Sequence, residues 1–347
     1  MGRTAGEKIM NDINRRTVLK GMAAGGAGLM LGTMPVFAQS SNKLVFMEPY
    51  DMALEYLHEM NAIVGGHFEK EGLTVEIASI RNTSAAIQQV VTGQAFVSRV
   101  GLLDVFKASE AQTEPVFSVG TSLQHGIFSV VSREGDPIRT PEDFKGKLVG
   151  LASIGGGQEN MLNLLLAGAG VPFEAVQRQA IGSNAGNVEI LKAKRVDAFL
   201  ATVETSLILK RNKEPVEIWP ASKYAPLPGG VLLMTKKFAT ENPETAVKFV
   251  RAMRNSALEA NTEDAGKILD RITAKFDLAA NDDRDFRIAA IKAYNEMTFV
   301  NGTDNVMRNV PEVMKLSAEL ASKAKIVEVK DVDSLYTNEY FDKAIKA

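Results

Sequence analysis

From residue 42 onward, short apolar runs alternate along the chain with longer amphipathic stretches. The run Lys43–Met47 has the length of a strand, and a helical pattern follows over Ala53–Val64 until it meets a pair of glycines. Similar strand–helix pairs recur as far as Val231–Thr235, and from Asn242 to the end the pattern is mainly helical. Strands that alternate with helices are typical of α/β proteins, because the crossover helices cover the faces of a parallel sheet. The pattern predicts an α/β body with two mostly parallel sheets flanked by helices.

Two segments carry clear helix-start signals. In Asn82–Ser84 a short polar side chain can cap a helix that runs to Thr92. Thr140–Asp143 combines an N-cap threonine, a proline at the first helical position and an acid three residues after the cap. Both segments are therefore predicted to begin helices.

Residues 1–38 have the pattern of an export signal. The pair Arg15-Arg16 precedes a Gly/Ala-rich apolar run, Gly21–Met34, and small residues occupy the −3 and −1 positions before a cleavage point after Ala38. The paired arginines resemble the twin-arginine export motif. The apolar run is shorter than the about 20 residues needed to span a bilayer. The sequence predicts a cleaved leader, a periplasmic mature protein and no stable membrane insertion.

Composition removes several functional classes. The 347 residues include 40 Lys and Arg against 42 Asp and Glu, which argues against a general nucleic-acid binder. There is no cysteine and there are only three histidines, at widely separated positions, so thiolate chemistry is excluded and metal sites have few candidate ligands. A chain of this length suggests two domains or a bilobal body. No cofactor is required by any motif.

Four predicted strand-to-helix loops carry polar residues or glycines suited to binding a ligand. Such loops gather at the carboxyl edge of a parallel sheet, where helix N-termini expose unpaired N–H groups. The glycines of Gly155–Gly157 can bring the backbone close to a ligand and form an anion-binding nest, or they can form a flexible turn; no lysine follows them as it would in a nucleotide P-loop. The candidate ligand-binding residues in the four loops are Tyr50, Asp51, Ser84, Gly155, Gly156, Gly157, Gln158, Ser183, Asn184 and Asn187.

Several segments in order resemble the substrate-binding proteins of ABC importers, in the group that includes nitrate, alkanesulfonate, taurine and thiamine-precursor binders. The similar segments are Phe68–Ile77, Ser84–Ala95, Ile138–Gly150, Leu191–Ala198 and Phe238–Ala252. The resemblance implies a type II periplasmic-binding clamshell of two lobes joined by two crossover strands, with one small solute in the cleft. Lobe 1 would comprise residues 40–130 and 230–347, and lobe 2 residues 131–229.

Three side chains are the strongest candidates for direct contact with a solute. Arg99 lies at the end of a strand, where the resembling families carry a small residue; it either clamps a carboxylate or sulfonate or forms a surface or interlobe salt bridge. Glu204 begins a helix and either accepts a hydrogen bond from a ligand N–H or pairs with the helix dipole. Tyr50 either stacks on a flat solute or packs on the neighbouring helix.

The sequence thus predicts a non-catalytic, monomeric periplasmic receptor that captures a small organic solute and delivers it to an ABC permease in the inner membrane. An organic anion such as a sulfonate or carboxylate is the first candidate. A heteroaromatic solute resembling a pyrimidine thiamine precursor is the alternative, and it is favoured if Glu204 faces the cleft. An exported enzyme on the same fold is a further alternative, although no matched nucleophile–base pair is visible.

Overall fold

The computed structural model of the protein describes residues 43–80, 82–111, 114–278 and 283–346. The predicted leader, residues 1–38, lies outside the described residues. Within the described residues, ten strands form two five-stranded sheets. The strands are β1 Lys43–Glu48, β2 Thr74–Ser79, β3 Val97–Val100, β4 Val116–Leu123, β5 Ser129–Arg133, β6 Leu148–Leu151, β7 Gln177–Ala180, β8 Ala198–Ala201, β9 Val216–Pro220 and β10 Gly230–Thr235.

Each sheet is mixed, and the two sheets follow the same plan. The first has the order β2-β1-β3-β10-β4 and the second β7-β6-β8-β5-β9. In the first sheet β1 is parallel to β2 and β3, whereas β10 is antiparallel to both of its neighbours. In the second sheet β6 is parallel to β7 and β8, whereas β5 is antiparallel to both of its neighbours. The predicted α/β class with two lobes is confirmed, and its sheets are more mixed than the sequence pattern indicated.

Helices surround both sheets. They are α1 Leu57–Val64, α2 His67–Lys70, α3 Thr83–Val91, α4 Leu102–Ala111, α5 Gly157–Ala169, α6 Asn187–Lys192, α7 Val203–Arg211, α8 Lys236–Glu241, α9 Pro243–Thr262, α10 Ala265–Thr273, α11 Arg284–Phe299, α12 Pro311–Lys323 and α13 Glu339–Ala344.

The predicted helix starts have different outcomes. The Asn82 side chain accepts a hydrogen bond from the Ala85 N–H at 2.9 Å, so the predicted cap of α3 is confirmed. At Thr140 the capping box forms as predicted, but the chain makes only a 3-10 turn over Pro141–Phe144. The expected α-helix there is wrong, because the turn leads almost directly into β6 and Phe144 is fully buried in the core.

The first sheet is packed against α9 through phenylalanines. Phe249 stacks on Phe68 with ring centroids 5.7 Å apart and meets Phe46 and Phe96 edge to face at 5.6 and 5.0 Å. All four rings are buried. Burial of an aromatic side chain contributes about 2–3 kcal/mol, so this cluster fixes α9 on the strands that lead to the cleft.

Two segments connect the sheets. Residues 124–128 lead from β4 to β5, and residues 221–229 lead from β9 back to β10. They run beside each other, since the Gly229 N–H donates to Leu123 O at 2.9 Å. A side chain at Gly229 would bring its Cβ within 2.4 Å of His125 O, so only glycine permits this approach.

The C-terminal helices contact both halves of the molecule. In α12, Leu320 and Ala321 join the buried cluster that contains Leu162 and Leu165 of α5, and the Ser317 hydroxyl donates to Pro226 O at 3.3 Å. The chain then returns to the first sheet, where the Thr337 N–H donates to a carbonyl of β4 at 2.9 Å. The chain passes from the first sheet to the second near residue 130 and returns near residue 230, close to the predicted lobe boundaries. The helix α12 nevertheless packs on the second half. The exact lobe limits therefore stay a prediction.

Candidate functional site

A cleft lies between the two sheets at the carboxyl ends of their parallel strands. It contains two cavities of about 340 and 420 Å³. The first cavity is lined by the loops after β1, β3 and β6 and by both connecting segments; the second is lined by the loops after β1, β7 and β8 and by α11. Tyr50 and Glu55 line both cavities. Both sheets thus contribute strand-to-helix loops to each cavity, but the loop at residues 155–157 borders only the first cavity and the loop at residues 183–184 only the second.

Tyr50 lies between the cavities and keeps 53% of its surface exposed. Its hydroxyl lies 3.1 Å from the Thr83 hydroxyl, and Thr83 itself lines the first cavity. The neighbouring predicted residue, Ser84, does not line either cavity. Successive residues of a helix point about 100° apart, so only one of these two side chains can face the cleft.

Arg99 lines the first cavity but is itself buried, with 5% of its surface exposed. Its Nε donates to the Ser122 hydroxyl at 3.1 Å, and its guanidinium carbon lies 4.9 Å from the centre of the Tyr56 ring. Nη1 is 3.8 Å from Glu55 Oε1, and Nε is 3.7 Å from Glu59 Oε1. The remaining nitrogen, Nη2, has no hydrogen-bond partner among the described residues.

Two fully buried acids lie beneath Arg99. Burial raises the pKa of the Glu48 carboxyl well above its usual range; the nearby Glu59 adds to the rise, and Arg99 opposes it. Burial also raises the pKa of Glu59, again against the effect of Arg99. Burial alone would lower the pKa of Arg99, but Glu59 and Glu55 reverse that effect and raise it. The guanidinium is thus the charged centre of a group of three carboxyls.

The same burial affects a neighbouring imidazole. His58 is 1% exposed, and its Nε2 lies 2.8 Å from the Thr298 hydroxyl. Burial, followed by the positive charge of Arg99, lowers the pKa of His58 to about 3. This histidine is neutral at physiological pH and has a structural hydrogen bond.

The Gly155–Gly157 loop lines the first cavity through its first and third residues, and Gly156 is not part of the wall. Gly155 has a φ of +80°, a conformation that favours glycine, and its N–H already donates to the Glu159 carboxylate. A Cβ at Gly157 would lie 3.6 Å from the Phe128 ring, so a larger side chain there would enter the cavity. At least one donor of the expected anion nest is therefore used by the protein itself.

Gln158 is buried away from both cavities, where its Oε1 accepts from the Ala152 N–H at 2.7 Å. Asn187 is also buried and donates to Gly182 O at 3.0 Å. Neither side chain lines a cavity. In this structure both hold the loops that shape the cleft.

The second cavity brings together five predicted residues: Tyr50, Asp51, Ser183, Asn184 and Glu204. Glu204 accepts a hydrogen bond from the Tyr294 hydroxyl at 2.5 Å, an alternative that the sequence reasoning did not consider. Burial, followed by the negative charge of Glu204, raises the pKa of Tyr294. Glu204 therefore faces the cleft with one of its oxygens already bonded.

Sequence reasoning missed several residues of the first cavity. These are Glu55, Thr83, Asp104, Lys107, Phe128 and Asn160. A signal existed for Asp104 and Lys107, because the turn at Gly101 places the start of α4 at the same sheet edge as the other loops. Glu55 and Phe128 have no local signature, since their positions depend on how the connecting segments fold back.

Among the described residues, no group of three or more His, Asp or Glu side chains could hold a metal ion. Within the same residues, no helix combines the length and apolar character needed to cross a bilayer.

Two mixed sheets, two connecting segments and a cleft at the strand ends make up the fold of the type II periplasmic binding proteins. The sulphonate-binding protein SsuA from Escherichia coli superimposes with a TM-score of 0.62 at 16% identity, over 87% of this chain and 100% of that one. The nitrate-binding protein NrtA from Synechocystis PCC 6803 superimposes with a TM-score of 0.59 at 12% identity, over 88% of this chain and 89% of that one. At these sequence identities the structural similarity establishes the fold alone.

The sequence comparison defines the family. The model of the family described as NMT1/THI5 like matches residues 56–264, and the chain belongs to that family. A segment of 111 residues is also 26% identical to 4-amino-5-hydroxymethyl-2-methylpyrimidine phosphate synthase from Schizosaccharomyces pombe (strain 972 / ATCC 24843). That match spans 32% of this chain and 32% of the synthase.

Proposed function

We propose that this protein is the solute-binding component of an ABC import system, which captures one small organic solute in the cleft and delivers it to a membrane permease. The observation that carries the proposal is the wall of the first cavity, to which both sheets and both connecting segments contribute. A solute held there contacts both halves at once, and such differential contact shifts an open–closed equilibrium. The periplasmic binding proteins that share the fold support this reading.

The cavity lining indicates a solute with a planar part. Tyr50, Tyr56 and Phe128 supply aromatic surface, while Thr83 and Asn160 supply hydrogen-bonding groups. A volume of about 340 Å³ lies at the small end of the range for ligand sites, which suits a single small molecule. Both an aromatic or alkyl anion and a pyrimidine-like ring fit this description.

A second candidate function is an enzyme on the same fold, and the name of the fission-yeast relative favours it. Catalysis of hydrolysis or transfer would need a nucleophile and a base in the cavity. The Ser222 hydroxyl lies 3.0 Å from His125 Nδ1, but neither residue lines the first or second cavity. The first cavity instead offers Glu55, Asp104 and Lys107 as ionisable groups, so turnover has to be tested directly.

The binding proposal is tested by thermal unfolding of the chain from residue 39 against a panel of aromatic sulfonates, carboxylates, amides and aminopyrimidines. We expect at least one planar compound to raise the melting temperature of the wild type. Tyr50→Ala should weaken that compound about tenfold or more, since a stacked aromatic pair contributes about 0.5–1.5 kcal/mol beyond its buried area. Tyr50→Phe, which keeps the ring, is the matched control. A panel without any binder would contradict the proposal.

Turnover is tested with the same compounds. After prolonged incubation with stoichiometric protein, a bound compound should be recovered chemically unchanged by mass spectrometry. A converted product that accumulates with time would favour the enzyme instead.

We further propose that residues 1–38 export the chain by the twin-arginine route. The motif Arg15-Arg16 and the cleavage position after Ala38 support this proposal. Replacement of both arginines by lysine should leave the uncleaved precursor in the cytoplasm, as judged by cell fractionation and N-terminal sequencing. Normal export of the double variant would argue for the general secretory route.

A further inference from the structure

The backbone of His125, in the segment that leads from β4 to β5, is held by the first half of the molecule. The side-chain amide of its neighbour Gln124 donates to two carbonyls of the loop 305–308, at 2.7 and 2.8 Å. That loop packs on β4, where a backbone N–H donates to one of its carbonyls at 3.3 Å. Gly229, which leads into β10, lies so close that a Cβ there would come within 2.4 Å of His125 O. The position of residue 125 is therefore fixed relative to the first sheet.

The side chain of His125 reaches the second half. Its Nε2 lies 2.5 Å from the Ser222 hydroxyl, and Ser222 belongs to the turn 221–223 that directly follows β9. Its Nδ1 lies 3.1 Å from Gly126 O. Burial lowers the pKa of His125, so the ring is neutral at physiological pH. We assign the tautomer in which Nδ1–H donates to Gly126 O and Nε2 accepts from Ser222.

This pair lies next to the wall of the first cavity without being part of it. Neither His125 nor Ser222 lines the first or the second cavity. Other residues of the same two connecting segments do line the first cavity, and they are Gly126, Ile127, Phe128, Leu227, Pro228 and Gly229. The segments also touch, since a Cβ at Gly126 would lie 2.9 Å from Leu227 O. A solute in the first cavity and the His125–Ser222 bond therefore act on the same two segments.

We propose that the His125–Ser222 hydrogen bond is a latch that holds the two halves at the opening seen in this structure and thereby sets the affinity of the cleft without touching the solute. At this opening both halves line the first cavity, so a solute meets both. An outward rotation of the second half would lengthen the bond, because His125 is held by the first half and Ser222 moves with β9. The apparent affinity falls with the fraction of molecules in the binding-competent arrangement. This inference rests on the proposed solute-binding function and adds two residues that regulate it.

The test measures the distance between the halves in the chain from residue 39, which has no cysteine of its own. Gln88→Cys on α3 and Glu189→Cys on α6 place spin labels at exposed positions of the two halves, and pulsed electron double resonance gives their distance distribution without solute. We expect Ser222→Ala and His125→Ala each to shift that distribution toward longer distances. The double variant should shift it no further, since both changes remove the same bond. A compound that binds the wild type should bind each variant about three- to tenfold more weakly, the effect of one neutral hydrogen bond.

Lys223→Ala is the matched control, because it removes an exposed side chain from the same turn and should keep the wild-type distances and affinity. His125→Gln keeps an acceptor near the place of Nε2 and should restore most of the wild-type distribution.

Unchanged distances in both single variants would overturn the latch, even if their melting temperatures fall, since that result assigns the pair a purely structural role. Shifts that add in the double variant would also overturn it, because the two side chains would then act separately. If no compound of the panel binds, the proposed function fails, and the distances without solute still decide for or against the latch.

Discussion

At the scale of single residues, the cluster around Arg99 shows how context sets the role of a charged side chain. An arginine at a strand end next to a cleft has the position of an anion clamp. In the fold its Nε lies 3.7 Å from Glu59 of α1, its guanidinium lies over the ring of Tyr56, and the charge of Glu48 of β1 contributes to raising its pKa. Its charge is balanced within the protein, its Nε donates to Ser122, and its Nη2 is buried without a hydrogen-bond partner among the described residues.

The buried acid beneath Arg99 should make stability depend on pH. Because the pKa of Glu48 is raised in the folded state, the folded protein binds this proton more tightly than the unfolded chain does. The stabilisation from the protonated Glu48 is fully present when the pH is below the ordinary pKa near 4.5. It is lost as the pH rises toward the higher pKa that Glu48 has in the folded state. Glu48→Gln mimics the protonated acid, so its stability advantage over the wild type should grow as pH rises from about 5 to about 8.

Urea unfolding of both proteins across that pH range measures this difference. His58 acts in the opposite direction, since its lowered pKa makes the folded protein less stable as pH falls below about 6.5. Both proteins contain His58, so its effect cancels in the difference. Parallel stability curves for the wild type and Glu48→Gln would show that Glu48 does not hold a proton in this range.

At the scale of elements, helix starts decide which side chains reach the cleft. Asn82 caps α3, and the first residue of that helix, Thr83, meets Tyr50 across the first cavity. The cap therefore orients a wall residue in addition to stabilising a helix. The 3-10 turn at Pro141–Phe144 shows the limit of such signals, because an equally clear capping box there begins no α-helix.

Loss of the α3 cap should lower stability and disturb the Tyr50–Thr83 contact. Asn82→Ala is expected to cost about 1 kcal/mol in the free energy of unfolding, because the Ala85 N–H loses its acceptor. Asn82→Asp retains a capping oxygen and should stay near the wild type. Chemical denaturation compares the three proteins. Equal losses in both variants would indicate that the side chain acts through something other than the cap.

At the scale of the whole molecule, the two halves are joined by more than the two connecting segments. The helix α12 comes from the C-terminal part of the chain and packs on α5 beside the second sheet. A Cβ at Gly168 would lie 3.3 Å from Leu320, so the helices approach closely at that point. Any change in the opening of the cleft would have to move α12 with the second sheet or break this third contact.

The α12–α5 contact should contribute to global stability. Leu320→Ala is expected to lower the free energy of unfolding by about 2–5 kcal/mol, because Leu320 is 5% exposed and its loss leaves a cavity. Leu316 lies on the same helix but is 40% exposed, so Leu316→Ala should cost less than about 1 kcal/mol. Thermal and urea unfolding distinguish the two. Similar losses of unfolding free energy in both variants would indicate that they weaken helix α12 itself and not its contact with α5.

The structure places eight of the twelve predicted ligand-binding residues in the walls of the two cavities, and their binding of a solute stays a prediction. The residues that line at least one of the two cavities are Tyr50, Asp51, Arg99, Gly155, Gly157, Ser183, Asn184 and Glu204. Four other predicted residues line neither cavity, because a position in the right loop does not determine which way the residue faces. They are Ser84, Gly156, Gln158 and Asn187. Glu55 and Phe128 were missed, since they come from a 3-10 turn and a connecting segment that have no periodic pattern.

By itself the sequence determined the alternation of strands and helices, the family and the loops that carry the cleft, because these depend on local periodicity and on short motifs. Only the tertiary structure decided the electrostatics of the site. Glu48, Glu59 and Arg99 belong to three different elements, and the distances between them follow from sheet order and helix packing. Coulomb energy depends on distance and burial, and neither can be read from separation along the chain.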